Sequence, residues 1–253
     1  MAPAAAEKLI AHLRSLRSPK DIEGQRRFGI TPKTEHLGTR MGRLRQLARR
    51  HRRDHALARA LWSSGIHEAR ILAALIGDPT RVTRPQMNAW CRDFDSWDVC
   101  DQVCGELFVY TLFAQERALR WTKSPEEFVK RAGFVMMARL AVRRKDLPDG
   151  VFADWLPILT REANDKRNFV RKAINWALRQ IGKRSPSLRR AAIAEAKKIL
   201  SLDTRSARWI ATDALRELAN STTEKSGKRV WPQNADARQS LRHNTSRKPK
   251  GRT

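Results

Sequence analysis

Apolar residues recur at helical spacing along nearly the whole chain, and that one pattern leaves few folds open. Leu9, Ile10, Leu13 and Leu16 stand at i, i+1, i+4 and i+7, positions that share one face of a helix. Ile71, Leu72, Leu75 and Ile76 repeat the spacing, as do Phe128, Ala132, Val135, Met136 and Leu140, then Phe169, Val170, Ala173, Ile174 and Ala177. Strand signals are nearly absent: no long run alternates Val, Ile, Thr and Tyr, and the chain has a single Tyr. The chain therefore reads as all-α. Breaks and caps fall at Gly65, Asp78-Pro79, Ser124-Pro125, Pro148-Asp149-Gly150, Asn164-Asp165 and Ser185-Pro186, each the end of a helix plus a turn. Ser124 and Ser185, each followed by Pro, read as N-caps with Pro at the first helical position. Similar helices joined by short turns fit either a bundle or an α-solenoid of stacked helix pairs.

Charge says what such a fold meets. The 253 residues carry 52 Lys and Arg against 26 Asp and Glu, a formal net charge of +26. From Thr222 onward there are nine Lys and Arg against two Asp and Glu, which leaves +19 on residues 1–221. The first 221 residues are read as one basic folded domain and 222–253 as a disordered basic tail, too poor in apolar residues to offset its ordering entropy. A potential of this sign attracts polyanions, nucleic acid above all, and the tail is expected to add non-specific DNA affinity. No stretch of about 18 apolar residues spans a bilayer. The opening MAPAAAEKLIAHLRSL is interrupted by Glu7, Lys8 and Arg14 and does not read as a secretory signal. Cys91, Cys100 and Cys104 form no CxxC pair; they point to a reducing compartment and to core filling rather than to a disulfide framework or a zinc site.

Three segments could carry chemistry. Trp90 to Gln102 holds two Trp and four Asp in thirteen residues. Trp97 and Asp101 are i and i+4, so indole and carboxylate share a helix face. Asp98 suits a helix start, whereas Asp101 has no capping role to explain it. In the second segment Arg171, Asn175 and Arg179 form a polar stripe beside Lys172 and Trp176. Such a stripe suits a phosphate backbone; it is also the pattern of a solvated face beside a core Trp. The third segment is Phe128-Val129-Lys130-Arg131-Ala132. Elsewhere, Arg40 to Arg53 carries seven Arg that could follow phosphates, Arg45 among them. His67-Glu68 is too isolated to read as a metal site.

In chain order these pieces resemble the AlkD-like DNA alkylation repair proteins, DNA glycosylases built from HEAT-like helical repeats. The resemblance rests on Ser96-Trp97-Asp98-x-x-Asp101, on Val129-Lys130-Arg131-Ala132, and on the segment from Phe169 to Arg179, within about Phe28 to Leu218. It implies an α-solenoid of antiparallel helix pairs that holds duplex DNA against a concave basic surface. It places the family's catalytic Asp on Asp101, its companion Trp on Trp97, its active-site Arg on Arg131 and the second aromatic wall on Trp176, with Arg179 in the DNA-facing cleft. Phe128 stands where the family usually has Trp.

The implied activity is release of cationic N3- or N7-alkylated purines from duplex DNA without flipping the base, by a monomer in the cytoplasm, associated with the nucleoid. It implies no metal, no organic cofactor and no membrane. On that reading Asp101 stabilises the cationic sugar, Trp97 and Trp176 contact the deoxyribose, and Arg131 holds the adjacent phosphate and keeps Asp101 ionised. Arg45, Lys130, Arg171, Lys172 and Arg179 make up the expected DNA-contacting set. Two other functions fit the same fold: a non-catalytic scaffold for damaged or branched DNA, and a protein-interaction solenoid for an acidic partner. Steep salt dependence separates the nucleic-acid readings from the last, and a scaffold has no use for a carboxylate facing DNA.

Overall fold

The structure is a computed structural model that describes residues 2–220; the expected basic tail, 222–253, lies outside the described residues. Those residues form thirteen α-helices and a 3-10 turn over Phe108–Tyr110, with no strand among them. The first six helices are α1 (Ala2–Ser15), α2 (Pro19–Arg26), α3 (Met41–Ala48), α4 (His55–Ser63), α5 (His67–Ile76) and α6 (Arg84–Arg92). They are followed by α7 (Trp97–Glu106), α8 (Ala114–Trp121), α9 (Glu127–Arg143), α10 (Asp149–Glu162), α11 (Asn168–Gly182), α12 (Pro186–Leu200) and α13 (Arg205–Asn220). None is long and apolar enough to cross a membrane.

Side-chain caps set several boundaries. Ser18, Asp54, Thr83 and Ser185 each accept a backbone N–H from the first turn of the helix they precede, satisfying a donor that the helix itself leaves free. Ser124 does not. Its Oγ accepts from the Glu126 N–H two residues on, a local turn that delays the start of α9 to Glu127 with Glu126 as N-cap. The expected cap is thus used as a turn, because the hydroxyl is spent before the helix begins.

The helices are arranged in two rows. In one, α5 packs between α3 and α7, α9 between α7 and α11, and α11 against α13; behind them α4 packs on α5, α8 on α9, α10 on α11 and α12 on α13. This is an α-solenoid of antiparallel helix pairs. Helix α9 sits deepest, flanked by α7, α8 and α11, and eleven of its 17 residues are buried. That is why its apolar residues outnumber the single stripe expected of a surface helix. The three cysteines are buried and unpaired.

The segment between α2 and α3 has no regular structure and is held by carboxylates instead. Glu68, 1% exposed, accepts the N–H groups of Leu37, Gly38 and Thr39 at 3.0, 2.5 and 3.2 Å. Asp95 accepts those of Lys33 and Thr34 at 2.9 and 3.2 Å. Gly38 has φ +79°, and a Cβ there would lie 2.7 Å from the Ser18 carbonyl oxygen, so only glycine lets the loop close under α2. Replacing Glu68 by Gln puts an amide donor against these N–H groups. The expected loss is about 2–3 kcal/mol in urea unfolding, with faster hydrogen exchange at residues 37–39 as the local signature.

Candidate nucleic-acid cleft and catalytic carboxylate

Helix α7 starts at Trp97, so Trp97 and Asp101 lie one turn apart on it, as the spacing predicts. Trp97 is half-buried, and its indole N–H donates to the Phe28 carbonyl at 3.1 Å. Asp101 is 8% exposed. Its carboxylate accepts Nε and Nη2 of Arg131 at 3.0 and 2.9 Å, a two-pronged pairing that suits the flat guanidinium. A further N–H of Arg131 donates to the Phe169 carbonyl at 2.7 Å, at the start of α11. Burial is the largest influence on Asp101 and raises its carboxyl above the ordinary 3.8, with Arg131 and then Arg139 opposing.

Arg131 pairs with Asp101 and favours its ionised form, but burial outweighs it, and Arg131 does not reach out for a phosphate. It is 5% exposed and lies under the carboxylate, because a buried anion is tolerable only beside a hydrogen-bonded cation. The free guanidinium at this place belongs to Arg139, which the motif reading missed. Its charge acts on Asp101, its carbon centre lies 4.9 Å over the Trp176 ring, and its Nε is buried without a hydrogen-bond partner among the described residues. Gly105, one turn beyond Asp101, gives it room: a Cβ there would sit 2.5 Å from the Arg139 Nε. The sequence did hold a signal, since Arg139 follows Arg131 by eight residues and Gly105 follows Asp101 by four, each along one helix face.

Asp98 does lie in the first turn, but it does more than meet the helix dipole. It accepts from the Ser96 hydroxyl at 2.5 Å and pairs with His67 at 2.9 Å. Burial disfavours the charged imidazole of His67, but Asp98 outweighs it and the His67 pKa is raised above 6.5.

The structure redistributes the expected DNA contacts. Arg171, Asn175 and Arg179 face α13 rather than a ligand: Arg171 lies 5.2 Å over the Trp209 ring, Asn175 donates to the Ile210 carbonyl at 3.0 Å, and Arg179 pairs with Glu217. The polar stripe is a helix–helix seam, because α13 packs along that side of α11. Lys130 is likewise neutralised, 2.7 Å from Glu162 and 3.0 Å from Asp165. Burial of Asp165 is outweighed by Arg167 and Lys130, which hold its carboxyl down at about 2. Lys172 and Arg45 remain exposed. Among the described residues no group of three or more His, Cys, Asp or Glu could hold a metal.

Side-by-side helix pairs, with a buried carboxylate set among arginine and tryptophan, define a helical-repeat protein. One solved structure similar to it is described as "a new family of proteins related to the HEAT-like repeat DNA glycosylases with affinity for branched DNA structures". It matches with a TM-score of 0.69 at 19% identity over 76% of this chain and 82% of that one. No curated protein sequence matches. The pattern of the DNA alkylation repair enzyme family matches residues 9–228, and the chain belongs to that family.

The two arginines should separate in a stability measurement. Arg131→Met strands a buried carboxylate and is expected to cost about 3–5 kcal/mol. Arg139→Ala removes no hydrogen-bonded pair and is expected to cost about 1 kcal/mol or less. Urea denaturation followed by far-ultraviolet circular dichroism reads both.

Proposed function

We propose that this protein is a DNA glycosylase that releases cationic N3- or N7-alkylated purines from duplex DNA. The observation that carries the reading is the Asp101 carboxylate, with the charge of Arg139 acting on it and that guanidinium lying over the Trp176 ring. An alkylated purine already bears positive charge, so it departs with the electron pair of its bond to C1′ and needs no proton. The barrier lies in the cationic sugar left behind. A fixed carboxylate lowers it by stabilising that charge and orienting the water that attacks C1′. Trp97 and Trp176 offer indole faces to the same developing cation. Arg139, in place of Arg131, supplies the donor for the neighbouring phosphate, and Lys172 adds charge along the strand. No step requires the base to leave the helix stack, in contrast to glycosylases that flip it.

A purely DNA-binding role has support from the branched-DNA affinity of the structural relative. Asp101 argues against that role, since an anion set beside a polyanion weakens binding and helix packing alone could be served by an apolar pair in its place.

The test is release of 3-methyladenine or 7-methylguanine from methylated duplex under single-turnover conditions. Asp101→Asn is expected to lose at least about a hundredfold in rate while its DNA affinity stays within about threefold. Equal losses in rate and affinity, or release at the wild-type rate, would refute the carboxylate's role. Because Asp101 must be ionised, the wild-type rate should fall as pH drops through a value above 3.8. Arg139 favours the ionised form, so Arg139→Ala should move that acid limb to higher pH.

A further inference from the structure

Away from Asp101, the C-terminal ends of α3, α5 and α7 border an open pocket of about 650 Å³ that none of the chemistry above uses. Arg45, Arg49, Arg52 and Arg53 line it, with Leu75 on the apolar side and Tyr110 at the edge. All four arginines are exposed. None of their side chains has a hydrogen bond or an ion pair within 4 Å among the described residues, whereas Arg131, Arg167, Arg179 and Arg184 are all paired. Arg40 and Arg43, from the same arginine-rich segment, are engaged by Asp21 and Gln46.

The backbone brings the four together. Helix α3 ends at Ala48, and the turn that follows passes through Arg53 at φ 62°, a left-handed conformation unfavourable for an arginine. Three helix C-termini place partial negative charge nearby and offset some of the repulsion among the guanidiniums. Glu106 also lines the pocket but leans toward Arg143, 3.8 Å away. Asp78, between the lining residues Gly77 and Pro79, is held below its ordinary range first by its hydrogen bonds with Thr80 and then by the charge of Arg53, so four guanidiniums outnumber the two carboxylates nearby and favour an anion. Tyr110 is 43% exposed and is the only tyrosine in the chain, an aromatic ring left at the rim of a basic hollow.

We propose that this pocket binds an unpaired stretch of DNA, its phosphates held by Arg45, Arg49, Arg52 and Arg53 and one base set against the ring of Tyr110. The volume is of nucleotide size, whereas a duplex is too wide to enter and would touch only the rim. Unpaired guanidiniums beside an exposed aromatic ring are the two components of single-strand recognition, backbone attraction and base stacking. The proposal rests on the DNA-binding reading above but not on base excision, so the protein gains a second contact for a displaced or branching strand.

The experiment uses the full chain and a fluorescent ten-nucleotide oligo-dT, alone and as a single-stranded overhang on a duplex. Arg49→Ala/Arg52→Ala and Tyr110→Leu are each expected to weaken binding of oligo-dT by about tenfold, and binding of blunt duplex by less than about threefold. The arginine variant should also lower the salt slope for oligo-dT by about 0.7 for each phosphate that is no longer neutralised. Equal losses for single strand and duplex would mean that the arginines are ordinary duplex-binding surface and would overturn the proposal. So would displacement of oligo-dT by free dTMP as effectively as by unlabelled oligo-dT, which would mark a mononucleotide site. Photocrosslinking with a 5-iodouracil oligonucleotide gives a second readout that does not depend on affinity. An adduct on the Tyr110 peptide is expected, and adducts confined to other peptides would refute the placement. Excision from methylated blunt duplex should be unchanged in both variants whether or not the pocket binds a strand, so the two readings fail separately.

Discussion

The fork between Asp101 and Arg131 is the interaction on which the rest of the site depends. A carboxylate inside a helical wall costs several kcal/mol unless a cation meets it with good geometry. Arg131 meets it from α9 and also reaches the Phe169 carbonyl, so one guanidinium sets the relative position of α7, α9 and α11. That commitment removes Arg131 from ligand binding. On the proposed function a second arginine of the same helix, Arg139, takes the phosphate, because Arg131 is already committed to the carboxylate beside it. The division of labour follows from burial, since only the less buried of the two can exchange partners without stranding a charge.

Charge in this protein has two distinct uses. Lys130, Arg179 and Arg184 bind acidic side chains between helices, where they tie neighbouring helices together, and Arg167 pairs within its own loop. Among the described residues, the side chains of Arg45, Arg49, Arg52 and Arg53 have no such partners. Net charge alone does not distinguish these groups. The carboxylates of Glu68 and Asp95 do a related job on backbone, pinning the segment before α3 through its N–H groups. The same segment begins near Phe28, whose carbonyl fixes the Trp97 indole, so a loop without regular structure becomes part of the wall of the cleft.

The helices, their order, most of their breaks and the Trp97–Asp101 pair were legible in the sequence because each depends on residues within one or two turns of one another. Apolar spacing, Ser185-Pro186 and i, i+4 geometry are local facts. The motifs also carried the family, which the match over residues 9–228 bears out. What the sequence by itself could not decide was the direction in which polar faces point. Arg171, Asn175 and Arg179 form the same stripe whether DNA or α13 lies opposite, and the partners Trp209, Ile210 and Glu217 come from more than 30 positions further on. Tertiary structure alone turned that stripe into a seam, buried Lys130 between Glu162 and Asp165, brought Arg139 over Trp176, and gathered four arginines around one pocket. The physical reason is that an ion pair or an aromatic contact depends on which helix packs alongside, and local periodicity does not encode that neighbour.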